Sequence, residues 1–206
     1  MIKQTIVTFA LMVSFVAFAQ ANLKKEYYID ENNKPILLAE FKGKVSLNKK
    51  YSYTVVSETD STLIAKIIFT EQIGVLQLGE REAAIKALQQ LTGRTVDASQ
   101  TIIINYFYRE PVKNQAPCID HYTADKKYLR FISKHADYSQ FFITEKGFNY
   151  NNKSVYEDIS EAIRNLLFKD VVHCGNYIII KPDGQYYKRV GEYRQDDIHY
   201  KIKEDW

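Results

Sequence analysis

The sequence predicts an α/β protein: a mixed sheet with helices on both faces, preceded by an antiparallel β-rich segment. Three observations predict it. Thr101-Ile-Ile-Ile-Asn-Tyr-Phe-Tyr108 is a dense β-branched and aromatic run, apolar enough for a central strand covered on both faces. Helical periodicity alternates with strand-like runs from Glu80 onward, the pattern of parallel strands joined by crossovers. Lys181-Pro-Asp-Gly184 separates Tyr177-Ile-Ile-Ile180 from Tyr186-Tyr-Lys-Arg-Val190, and a tight Pro-Asp-Gly turn forces antiparallel neighbours.

The chain has 206 residues, 46% hydrophobic and 26% charged, with 8 Gly and 4 Pro, the composition of an ordered globular protein. Met1-Ile-Lys-Gln4 gives a short positive start, Ile6 to Phe18 is a 13-residue apolar run, and Ala17-Phe-Ala19 is a small-x-small cleavage pattern. Residues 1–19 therefore read as a secretory signal peptide; Ala19-Gln-Ala21 offers a second cleavage site. The run is short of the roughly 20 residues that span a bilayer as a helix, so the mature chain is expected to carry no membrane anchor and to be exported, periplasmic or extracellular.

Residues 20–79 read as the β-rich segment, a small meander of strands Pro35–Phe41, Tyr51–Val56, Thr62–Phe69 and Gly74–Leu78, separated by turn formers at Asn32-Asn33, Gly43, Asn48 and Glu58–Ser61. This segment holds no Cys or His and reads as an interaction or packing module. Residues 80–206 read as the α/β domain. Ala84, Ile85, Leu88 and Leu91 share one face of a helix that starts at Glu80 and stops at Gly93. After the central strand, a loop with Pro111 and Pro117 leads to a helix over Thr123–His135, whose start could be as early as Cys118, and then to a strand at Tyr138–Thr144. Ser154-Val-Tyr-Glu157 matches a capping box and predicts a third helix, with Val155, Ile159, Ala162, Ile163, Leu166 and Leu167 as its buried stripe. The charged tail from Asp196 to Trp206 suits a short last helix.

The net charge of +3, about +2 once Lys3 is removed with the leader, is too balanced for a nucleic-acid surface. There is no Gly-rich phosphate loop and no Gly-x-Ser-x-Gly elbow, and His121, His135, His173 and His199 show no metal-ligand spacing, so no cofactor or metal is expected. Asn152-Lys-Ser154 matches a glycosylation acceptor. Sixteen Tyr make aromatic recognition of a peptide or glycan a further reading, with Tyr106-Phe-Tyr108 and Tyr186-Tyr187 as candidate rings. The two cysteines, Cys118 and Cys174, favour a disulfide in an exported chain; two buried thiols and a redox-active pair stay open.

Read from Thr101, the order strand, helix, strand, helix, strand, hairpin strand resembles the thioredoxin fold. Leu91-Thr-Gly-Arg-Thr-Val-Asp97 and Tyr177–Tyr193 are similar to stretches of exported thioredoxin-like proteins of the thiol-disulfide interchange, resistance-associated type. The resemblance covers roughly the last 110 to 125 residues. That family's chemistry needs Cys-x-x-Cys at the start of the first helix, and here Tyr108 to Cys118 contains a single late Cys. The family's proline before the hairpin strand is also missing; Cys174 stands near its place in Val172-His-Cys-Gly-Asn-Tyr177. The resemblance then implies that the loops bearing Cys118 and Cys174 are neighbours, at the carboxyl ends of adjacent central strands, so that a Cys118–Cys174 bridge staples that face shut. It leads to the expectation of an exported, redox-inactive thioredoxin-like protein with a binding or structural role and a protein or peptide partner. The alternative is an atypical thiol-disulfide oxidoreductase using Cys118 and Cys174, with His121 or His173 as neighbouring base.

Overall fold

The computed structural model describes residues 24–47, 49–110 and 116–206. The proposed signal peptide lies outside the described residues. No helix among them is long and apolar enough to cross a membrane.

Two mixed sheets organise the chain. The smaller begins with β1 (Lys25–Ile29) and β2 (Pro35–Ile36), followed by helix α1 (Leu38–Leu47), β3 (Tyr51–Glu58) and β4 (Thr62–Phe69), in the order β2-β1-β4-β3. It corrects the antiparallel meander on two counts: β1 runs parallel to β4, and only Pro35–Ile36 of the expected first strand is extended. Leu38-Ala-Glu-Phe41 consists of helix formers apart from Phe41, and Phe41 is buried against Ala65 and Ile67 of β4; Gly43 lies inside α1.

The larger sheet has six strands in the order β5-β10-β9-β6-β7-β8. Here β5 is Glu71–Val75, β6 Thr101–Tyr108, β7 Tyr138–Glu145, β8 Val155–Asp158, β9 Cys174–Ile180 and β10 Gln185–Arg189. Parallel pairs join β6 to β7 and β7 to β8; β9 is antiparallel to β6, and β10 is antiparallel to β9 and to β5. Thus β5, assigned by sequence to the N-terminal segment, hydrogen-bonds to the last strand of the larger sheet. The hairpin turn forms at the Pro-Asp-Gly position: Gly184 adopts φ +87° and its N–H donates to the Lys181 carbonyl at 3.0 Å.

Alternation along β6 fills two cores, one on each face. Ile102, Ile104, Tyr106 and Tyr108 meet Ala84 and Leu88 of α2 (Glu80–Thr92) and Ile163 and Leu167 of α5 (Ala162–Leu167). Ile103 and Phe107 meet Ile119 and Tyr122 of α3 (Ile119–Thr123), Tyr128 of α4 (Lys126–Ser133) and Ile198 of α6 (Asp197–Lys201). Helices therefore cover both faces, as the sequence predicts. Arg81, buried on α2, ties that helix to the sheet by donating to the carbonyls of Lys181 at 3.0 Å and Gln100 at 2.9 Å.

The capping box at Ser154 is not used. Val155–Asp158 pairs with β7 as an edge strand, the Glu157 carboxylate accepts from the Gly147 N–H at 2.6 Å, and Ile159 is exposed. Sheet extension wins over the local helix signal. The helix starts later, where the Asp158 carboxylate accepts from the Arg164 N–H at 2.8 Å. The expected Thr123–His135 helix is two, α3 and α4; Asp125 caps α4 by accepting from the N–H groups of Lys127 and Tyr128.

Candidate functional site

The cysteines lie where β6, β9 and α3 converge. Tyr108, the last residue of β6, pairs with Cys174, the first of β9, and Cys118 immediately precedes α3. A disulfide joins Cys118 to Cys174 across 56 residues of chain, with a Cα–Cα separation of 5.6 Å. The loops are neighbours, with one correction. Because β9 is antiparallel to β6, Cys174 stands at the amino end of its strand, beside the carboxyl end of β6.

Cys174 holds a left-handed backbone, φ +72°, a conformation unfavourable for a residue with a Cβ. The surroundings fix it there. A Cβ on Gly175 would lie 2.7 Å from the Tyr193 ring and 2.8 Å from the Tyr122 hydroxyl, so only glycine lets these rings close over the strand. Tyr122 donates to the Tyr193 carbonyl at 3.1 Å and accepts from the Tyr193 N–H at 3.3 Å. Asn105, fully buried in mid-β6, donates to the Tyr193 hydroxyl and accepts from the Gln140 amide at 2.9 Å. On the opposite face Asn176 donates to the carbonyls of Tyr106 and Val172 and accepts from the Gly191 N–H. These satisfied polar groups hold the loops around the bridge in one arrangement. Burial pushes the phenols of Tyr122 and Tyr193 up, so both stay neutral.

Glu110 places a carboxylate beside the bridge. Its Oε1 accepts from the Cys118 N–H at 2.8 Å, and ligand-type atoms of Glu110, Cys118 and Cys174 all lie within 4.8 Å of one another. In the bridged state the two sulfurs are bonded to each other, so neither is the thiolate that a metal requires. A cleft of about 270 Å³ opens beside the bridge, lined by Cys118, His121, Cys174, Glu192, Arg194 and Asp196 among others.

Of the two His proposed as bases, His121 lines this cleft, whereas His173 directs Nδ1 to the Arg109 carbonyl at 2.8 Å. His135 bonds the Phe131 carbonyl and stacks on Tyr138, and His199 lies against Phe131 and Tyr200. The rings of Tyr106, Phe107, Tyr108 and Tyr187 are buried and present nothing to a ligand; Tyr108 donates to the Phe168 carbonyl. Sequence reasoning missed Glu110, Gly175 and Tyr193. An Asn in the middle of an otherwise apolar strand was the available signal for the Tyr193 network. No family model matches the chain, and no curated protein and no solved structure matches it either.

Proposed function

We propose that this is an exported, redox-inactive thioredoxin-like protein with a binding or structural role. One observation carries the reading: a single disulfide joins two distant loops at the end of the sheet where a thioredoxin-type protein keeps both cysteines of a Cys-x-x-Cys at the start of one helix. The strand order β7-β6-β9-β10, with a parallel pair crossed over by α3 and α4 and then an antiparallel hairpin, supports the likeness. A bridge closing 56 residues restricts the unfolded chain and contributes about 4 kcal/mol. Neither cysteine has a resolving thiol three residues away, so an attacking thiolate would have to come from outside. The partner expected is a protein or peptide, and exposed apolar side chains at Leu37, Leu47 and Val56 lie on the smaller sheet unit.

The second reading, a thiol-disulfide oxidoreductase using Cys118 and Cys174, draws on the cleft that reaches the bridge and on His121 in its wall. An insulin-reduction assay with a dithiol reductant separates the two. The proposed function predicts turnover no greater than that of the C118S/C174S variant; turnover that depends on both cysteines would establish the enzyme.

A further inference from the structure

A second polar cleft, of about 340 Å³, lies under the β5 edge of the larger sheet, and neither cysteine lines it. Lys188 of β10 reaches it while only 7% exposed. Its ammonium lies 5.6 Å from the centre of the Phe168 ring, and it has no hydrogen bond or ion pair among the described residues. A buried ammonium is costly unless an anion compensates it. Burial accordingly lowers the Lys188 pKa, with Lys169 pulling the same way and Asp170 against it.

The neighbours are donors. Gln72 is the cross-strand partner of Lys188, so both side chains leave the same face of the sheet, and Gln77 lines the cleft from the turn before α2. Neither carboxamide has a partner among the described residues. Lys169 adds a second ammonium from the loop after α5. Gly74 lets the Tyr186 ring form a wall, since a Cβ there would fall 2.9 Å from it. Two carboxylates also line the cleft: Glu80 is occupied by the Gln77 N–H at 2.7 Å, and Asp170 has no ion pair among the described residues.

The geometry points to a binding site for a small carboxylate, held by the Lys188 ammonium and the Gln72 and Gln77 amides. Lys169 assists from the rim. Asp170 and Glu80 set the charge the cleft accepts: they repel a dianion more strongly than a monoanion, which favours a carboxylate over a doubly charged phosphate. The site is independent of the disulfide reading and of any redox step.

The test is a titration of the full mature chain with acetate, and separately with inorganic phosphate, at constant ionic strength with chloride as reference. Binding is read by amide and side-chain shifts in NMR spectra and by the thermal midpoint. Acetate is expected to shift the Gln72 and Gln77 side-chain signals and raise the midpoint. K188M, which replaces a buried charge by an apolar chain of similar length, is expected to weaken binding at least about tenfold. D170N, which removes the opposing carboxylate, is expected to tighten it. No acetate response, or an equal response in K188M, overturns the site; tighter binding of phosphate than acetate overturns the assignment to a carboxylate. Should K188M misfold, K188Q serves the same comparison.

Discussion

The two sheet units bury very different amounts of themselves. The smaller sheet rests on Phe41, Ala65 and Ile67 as its buried cluster, whereas the larger has two clusters, one on each face. Exposure runs the other way: of 14 exposed large hydrophobic residues among the described residues, the 11 from Tyr27 to Leu78 belong to the smaller sheet with its helix α1, to β5 or to the turn after it. Stability resides in the six-stranded sheet, and apolar surface for contact resides in the N-terminal part. The bridge, the Asn105–Tyr193 network and the Lys188 cleft all belong to the stable unit.

Cutting the bridge tests the larger unit hardest. The C118S/C174S variant should lose about 4 kcal/mol in urea unfolding compared with the oxidised protein. A loss below about 1 kcal/mol would mean that the loops around Gly175 are held by packing alone. Next in size is G175A, which forces the Tyr122 and Tyr193 rings from the strand; it should cost about 1–3 kcal/mol, measured in the same way.

Alkaline pH should also single out the larger unit. Burial pushes Tyr187 up to about 12, and Tyr106, Tyr108, Tyr128 and Tyr177 are likewise held well above the ordinary phenol value. These groups keep their protons in the fold after the unfolded chain, near pH 10, begins to release its own. Their contribution is therefore fully present below about pH 10 and falls as pH rises from there, by up to about 1.4 kcal/mol per pH unit for each such tyrosine. Denaturant midpoints measured alongside tyrosinate absorbance check this, and a flat profile from pH 9 to 11 would contradict it. The smallest stability effect belongs to the exposed residues: L47E and V56E should change unfolding free energy by no more than about 0.5 kcal/mol. If either unfolds the smaller sheet, its surface is structural.

Local signals were readable. The apolar run at 101–108, the Pro-Asp-Gly hairpin and the Gly93 stop, which takes φ +67°, are each set by neighbours within a few residues. Signals that needed a distant partner were misread. Ser154-Val-Tyr-Glu157 satisfies a helix rule, yet β7 offers its edge to the same residues. Leu38–Leu47 carries apolar residues suited to either state, and burial of Phe41 against β4 decides for helix. The parallel pairing of β1 with β4 has no local marker at all. The cysteine pair was legible from its even count, whereas Glu110 and Tyr193 reach the bridge only through the folded topology.

The most direct test of the account is the equilibrium reduction potential of the Cys118–Cys174 bridge in the mature protein, from free-thiol titration against a glutathione redox buffer extended by a dithiol. A structural staple predicts a potential below about −300 mV. A value between about −120 and −230 mV would contradict it and make the bridge a working redox pair.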